Sequence, residues 1–141
     1  MIKIKRLTTT AIIPQYAHYN DAGLDLFSTD NTILMPGEIK LIHTGIAISL
    51  PDDVEAQIRP RSGLALKNGI TVLNSPGTID AGYRGEIGII VINHGKKSFE
   101  ITVGTKIAQM VITPIIHAEI QEVVELEESD RGSDGFGSTG I

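Results

Sequence analysis

An all-β domain, built as a sandwich, jelly roll or barrel, is what three features of this sequence predict: short β-rich runs recur along most of the chain, turn residues separate them at near-regular intervals, and only one stretch carries helix signals. The first run, Met1-Ile-Lys-Ile-Lys5, alternates apolar and basic residues, which places Ile2 and Ile4 on one face of an extended chain. Ala22-Gly-Leu-Asp-Leu-Phe27 reads as a strand on which Asp25 faces away from Leu24 and Leu26. In Lys40 to Ser49 the same period puts Ile42, Thr44, Ile46 and Ile48 on a shared face. Val54 to Ile58, Glu86 to Asn93, Phe99 to Val103, Ile107 to Ile112 and Ala118 to Leu126 complete the predicted strands, with turns at Pro36-Gly37, Pro51-Asp-Asp53, Asn93-His-Gly95 and Val103-Gly104. The helical exception is Ser62 to Gly69, at most two turns, with Ser62 placed to cap its start and Gly69 to end it in a left-handed conformation.

A length of 141 residues suits one domain. The body is expected to span residues 1–126 and a flexible glycine-rich tail residues 127–141, with the acidic run Glu125-Leu-Glu-Glu-Ser-Asp130 at their junction. The absence of cysteine excludes disulfides and thiolate metal sites. The longest uncharged apolar run, residues 87–92, falls far short of the roughly 20 residues that cross a bilayer, and residues 1–15 lack a secretory layout. A soluble, cytoplasmic protein with no membrane partner is expected. A formal charge of −5 disfavours nucleic acid as a partner, yet permits a small basic pocket for one anionic ligand.

Several motifs lead nowhere. Gly135-Phe-Gly-Ser-Thr-Gly140 matches the dinucleotide fingerprint, but that motif needs a strand before it and a helix after it, and one residue follows. His18, His43, His94 and His117 lack the short spacings of a zinc site. No nucleophile elbow is present, so chemistry here should use water.

Three segments carry more. Asp25, alone, reads as an exposed carboxylate on a strand. Arg59-Pro-Arg-Ser-Gly63 brings two guanidinium groups, a hydroxyl and a glycine to the start of the short helix, either as an anion site or as an ordinary cap beside a solvated arginine. Asn74 to Glu86 is dense in turn residues and holds Asp80 and Tyr83 three apart, followed by Gly85 and Gly88 entering a β run, where glycine often marks close approach of a ligand or another backbone.

Taken in order, Ala22-Gly-Leu-Asp-Leu26, Pro60-Arg-Ser-Gly-Leu-Ala65, Gly77-Thr-Ile-Asp-Ala-Gly-Tyr-Arg-Gly-Glu-Ile87, Lys106-Ile-Ala-Gln-Met-Val111 and Arg131-Gly-Ser-Asp-Gly-Phe-Gly-Ser-Thr-Gly140 resemble the five motifs of the trimeric deoxyuridine triphosphatases, the dUTPases. The resemblance runs from Ala22 to Gly140. It implies a jelly-roll-like distorted β-barrel, a homotrimer whose active sites draw on several subunits, and Mg²⁺-dependent hydrolysis of dUTP to dUMP and pyrophosphate. By the same resemblance Asp80 is the general base that activates water against the α-phosphorus, and Asp25 holds the magnesium ion through coordinated water, which suits that ion's reluctance to dehydrate. Arg61, Ser62 and Gly63 match the phosphate loop, and Gln109 a glutamine that hydrogen-bonds the phosphate chain.

Uracil and sugar selection is implied for the hairpin containing Asn74, Gly77, Thr78, Ile79 and Asp80, with Tyr83 packed on deoxyribose and Gly88 leaving room for the base. Phe136 would stack on uracil, while Arg131, Gly137, Ser138 and Thr139 grip the terminal phosphate as a lid; a glycine-rich tail costs roughly 1–2 kcal/mol per residue to order, so it should stay mobile until ligand contacts offset that loss. Asp134 stands where many relatives carry glycine. Two rival readings are a dCTP deaminase and a non-catalytic jelly-roll module. The deaminases use a glutamate three residues before a strand asparagine; that position before Asn93 is Ile90, which cannot shuttle protons.

Overall fold

The computed structural model describes residues 1–140. In chain order it forms β1 (Lys3–Arg6), β2 (Gly23–Phe27), β3 (Thr32–Leu34), β4 (Ile39–His43), β5 (Ile46–Ser49), β6 (Val54–Arg59), α1 (Ser62–Asn68), β7 (Ile70–Val72), β8 (Gly77–Ile79), β9 (Gly88–Asn93), β10 (Phe99–Ile101) and β11 (Lys106–Pro114). Every strand pairing is antiparallel. The largest sheet has the order β2-β11-β6-β8, a second has β4-β9-β7, and two ribbons pair β1 with β5 and β10 with β3. They enclose one apolar core as a jelly-roll-like, all-β barrel with, among the described residues, one short helix. Among the described residues no helix is long and apolar enough to cross a membrane.

The two-residue period explains what is buried. Leu24 and Leu26 of β2 enter the core while Asp25 projects to the other side. Ile42, Thr44, Ile46 and Ile48 all face inward as expected, but the segment is two strands, because the chain bends at Gly45, whose φ is +66°. Thr44 can be buried there because its hydroxyl donates to the Ile87 carbonyl at 2.6 Å. Asn93, also fully buried, donates through Nδ2 to the carbonyls of Leu34 and Lys97 and accepts from the Gly95 amide. Each fully buried aliphatic side chain contributes about 1.5–3 kcal/mol.

Two expectations are corrected, and two short strands are added. Ala118 to Leu126 forms no strand: β11 ends at Pro114, the Ile115 amide donates to Asp53, and the residues beyond pair with no edge of their own chain. A β-rich run is not enough where no neighbouring strand supplies the ladder. Ser62 does not cap α1. Arg61 holds that position with extended dihedrals (φ −94°, ψ 129°) and no side-chain cap, and Ser62 is the first helical residue. β3 and β7 were not anticipated, being three residues long and so too short for a period to show.

The helix does end at Gly69 with φ +69°. A Cβ there would lie 2.6 Å from the Gly95 amide nitrogen, and the His94 amide donates to the Gly69 carbonyl at 2.8 Å, so α1 and the β9–β10 loop are locked backbone to backbone. Gly69→Ala should therefore lower unfolding free energy by about 2–4 kcal/mol, combining left-handed strain with the clash. Urea unfolding measures this, and a loss below 1 kcal/mol would show that the loop yields freely.

Candidate active site

The candidate anion pocket forms where β6 gives way to α1. The register sets Gln109 of β11 opposite Arg59 on one side and Asp25 of β2 on the other. Three strands thus deliver polar side chains to one end of the large sheet. Asp25 is held between two cations, with Oδ1 3.2 Å from Arg61 Nε and Oδ2 2.8 Å from Lys106 Nζ. Arg61 also donates to the Lys106 carbonyl at 3.2 Å, and the Lys106 ammonium lies 5.8 Å from the centre of the Phe27 ring. Gln109 Nε2 donates to the Pro60 carbonyl at 2.9 Å, which fixes the start of the Arg61-Ser-Gly63 loop. Its Oε1 occupies the space that a Cβ at Gly23 would need, so a side chain there would displace the Gln109 amide from this position. The resulting cavity, about 620 Å³, is lined by Asp25, Arg61, Ser62, Gly63, Lys67 and Gln109, among others. Nothing lies within 4 Å of a Cβ built on Gly63, leaving that face open to a ligand.

The second group is carried by β8. Gly77 pairs with Ile58 of β6, and a Cβ at Gly77 would press on Ile58 and on Asn74 Nδ2, both at 3.3 Å, so the hairpin backbone sits close to the sheet. Beyond Ile79 the chain turns, with the Tyr83 amide donating to the Asp80 carbonyl at 3.0 Å. Tyr83 folds back over Gly85, where a side chain would collide with its ring, and its hydroxyl donates to the Glu86 carbonyl at 3.0 Å. A cavity of about 150 Å³ is lined by Thr78, Ile79, Asp80, Tyr83, Glu86 and Gly88. The Asp80 carboxylate is exposed and, among the described residues, takes part in no ion pair and no side-chain hydrogen bond. Gly88 lies opposite His43 in β4, and a Cβ there would come within 2.6 Å of Leu41 Cδ1. Packing inside the protomer thus favours glycine at that position.

These two cavities share no lining residue. Along β6 the register explains why: Gln109 faces Arg59, whereas Ile79 faces Ala56, and Asp80 continues away from the anion pocket. At about 3.3 Å per residue, that places Asp80 and Arg61 more than ~10 Å apart. One protomer thus holds two separate cavities. Among the described residues, none of the tail lines either cavity. Its hydrogen bonds are internal, among them Arg131 Nε to the Asp134 carbonyl at 2.9 Å and the Ser138 amide to the Gly135 carbonyl at 3.1 Å. Phe136 is fully exposed at a positive φ of 49°, and Arg131, Gly137, Ser138 and Thr139 stand apart from the other predicted residues.

Two contributors went unassigned in the sequence. Lys106 sits within a recognised motif but is identified as an Asp25 partner only by the β2–β11 register. Glu86 accepts the Gly45 amide at 2.8 Å, tying the Asp80 hairpin to the β4–β5 bend. Among the described residues no three His, Cys, Asp or Glu side chains converge on a possible metal position. The anion pocket nevertheless suits a hydrated magnesium–phosphate complex, since Asp25 is a partly buried carboxylate with lone pairs left over from its two cationic partners.

A family model described as dUTPase matches residues 9–140 of the chain. The chain is 68% identical over 139 residues to the deoxyuridine 5'-triphosphate nucleotidohydrolase of Clostridium tetani, covering 99% of this chain and 96% of that one. It is 64% identical over 140 residues to the protein of the same description in Crocosphaera subtropica, covering 99% of each. Among solved structures it is similar to a mutant dUTPase of Staphylococcus bacteriophage 80alpha with dUpNHpp, with a TM-score of 0.93 at 32% identity over 100% of this chain and 99% of that chain. A mutant dUTPase from phage phi11 of S. aureus, described with a structural Mg(II) ion, gives 0.84 at 30% identity over 91% and 99%.

Proposed function

Because this chain belongs to the dUTPase family and is a dUTP hydrolase, we propose that it performs the reaction by pairing the Asp80 half-site with the Arg61 half-site of another copy. The carrying observation is the contrast between two aspartates. Asp80 has no partner among the described residues, whereas Asp25 is held by Arg61 and Lys106. A free carboxylate can take a proton, and a paired one is suited to holding charge in place.

In this reading the Asp80 carboxylate removes a proton from water as the water oxygen attacks the α-phosphorus. The bond from that phosphorus to the oxygen bridging to the β-phosphorus breaks, the bridging oxygen leaves on pyrophosphate, and dUMP remains. Arg61, Ser62, Gly63 and Gln109 hold the phosphate chain and oppose the charge that develops on the leaving group. Asp25 would hold a magnesium ion through its water, and the ion would neutralise phosphate charge. Asn74 and the backbone of Gly77, Thr78 and Ile79 present polar groups to uracil, Tyr83 packs on the deoxyribose, and Gly88 leaves the base its space. Backbone groups fixed in a hairpin reject cytosine by leaving mismatched donors and acceptors unpaired. Arg131, Phe136, Gly137, Ser138 and Thr139 close over the nucleotide as a lid formed by residues 127–141, with residues 1–126 as the body. Cytoplasmic action of this kind would keep uracil out of DNA and supply dUMP for thymidylate synthesis.

A homotrimer with shared sites is supported by the two separate cavities and by the segment after β11, where Ile116, Ile120, Val124 and Leu126 are 87–101% exposed. Such an apolar arm calls for burial against another copy. The direct test is incubation with each deoxynucleoside triphosphate, with and without magnesium, in ¹⁸O-water. Pyrophosphate and labelled dUMP from dUTP are expected; label in pyrophosphate would remove the α-phosphorus as the site of attack. Sharing has its own test. Asp80→Asn chains mixed with chains lacking residues 129–141 should regain part of the parent rate, and mixed trimers without activity would confine each site to one chain.

A further inference from the structure

The chain's charge is segregated. Residues 119–134 contain seven of its seventeen carboxylates and one of its twelve lysine and arginine side chains, a formal −6, so residues 1–118 carry +1. The acidic run Glu125 to Asp130 spans the junction of the body and the lid, whose proposed destination is a triphosphate. Left uncompensated, these like charges would oppose closure wherever they come within the ~10 Å screening length of 0.1 M salt from the phosphates.

A cationic counterpart lies beside the anion pocket. Lys67 and Asn68, at the end of α1, line that pocket and also a neighbouring cavity of about 440 Å³, whose far wall contains His94, Lys96 and Lys97 of the β9–β10 loop. The platform is rigid. The His94 amide donates to the Gly69 carbonyl, the Gly95 amide to Asn93 Oδ1, and the buried Asn93 Nδ2 to the Lys97 carbonyl. Lys67, Lys96 and Lys97 are exposed, and among the described residues they form no ion pair. Neither do Glu125, Glu127, Glu128 and Asp130. The tail of the same chain also departs the wrong way: β11 ends with Pro114 opposite Val54, at the start of β6, whereas α1 follows Arg59 at its end.

We propose that Lys67, Lys96 and Lys97 form a docking surface for the acidic segment Glu125–Asp130 of a second copy of this chain, removing its repulsion and aiming Arg131 at the phosphates. The proposal rests on the lid reading and goes beyond it by naming the surface on which the lid's hinge is seated.

Charge reversal tests it on the full-length protein. Lys96→Glu with Lys97→Glu should lower kcat/KM for dUTP about tenfold at low salt, with an unchanged unfolding midpoint, and should reduce the protection that a non-hydrolysable dUTP analogue gives the tail against protease. Glu127→Lys with Glu128→Lys should lower it similarly. If those carboxylates only repel substrate, that second variant becomes faster, which overturns the proposal. Joining all four changes in one chain should recover most of the loss, and mixing the two variant chains should recover part of it. Recovery in the fourfold variant but not in the mixture would place docking within one chain and overturn the second-copy assignment. Parental activity in the lysine variant, with deletion of residues 129–141 still inactivating, would remove the docking surface and leave the lid standing. Should the reversals impair folding, Lys96→Gln with Lys97→Gln should still give about a threefold loss, and none would overturn the proposal.

Discussion

Asp80→Asn should lower the turnover of dUTP by about 10²–10⁴-fold while leaving affinity for a non-hydrolysable dUTP analogue within about twofold. The substitution keeps the shape of the side chain and removes only its capacity to accept the proton of attacking water. Because the Asp80 carboxylate is exposed and forms no ion pair or side-chain hydrogen bond among the described residues, nothing in the fold depends on its charge. The thermal midpoint should stay at the parent value, and that separates loss of chemistry from loss of structure. Single-turnover rates with saturating magnesium measure the effect. Turnover equal to the parent would remove Asp80 as the base, and parallel loss of analogue binding would assign it to substrate positioning.

Removal of residues 129–141 should lower kcat/KM by about 10²–10³-fold and leave the unfolding midpoint where it was. The two halves of this expectation have different origins. Stability is spared because, among the described residues, the tail's hydrogen bonds are internal to it, such as Gly132 to Ser129 and Gly140 to Gly137, and Phe136 is fully exposed. Catalysis is lost because the deletion takes away the Arg131 guanidinium, the Ser138 and Thr139 hydroxyls and the Phe136 ring together. A segment with glycines at positions 132, 135, 137 and 140 loses roughly 1–2 kcal/mol per residue on ordering, so closure requires a ligand that engages most of these groups at once. Hydrogen exchange of the tail with and without the analogue reports closure independently of turnover. An unchanged rate after deletion would exclude a lid.

Much of the fold was legible because strands announce themselves locally. Leu24 and Leu26 on one side of Asp25, and the buried row of Ile42, Thr44, Ile46 and Ile48, follow from a two-residue period that any extended chain obeys. Gly69 could be named as a helix end because a left-handed residue is needed there, whatever surrounds it. Ser62 does not act as the cap because Arg61 is still extended when the helix begins, which makes Ser62 the first helical residue. The segment 118–126 has strand character without a strand, since pairing is a property of two segments and its own chain supplies only one.

The sequence by itself determined most of the extended segments, where the helix ends, and the chemical inventory of five motifs that place the chain among the dUTPases. Those properties depend on neighbours a few residues away. Only the tertiary structure decided that Lys106 and Arg61 hold Asp25, that Gln109 secures Pro60, and that Asp80 lies in a separate cavity from the phosphate loop. Each of these follows from the register between strands distant in sequence. Hydrophobic period says which face of a strand is buried, but not which residue stands opposite on the next one.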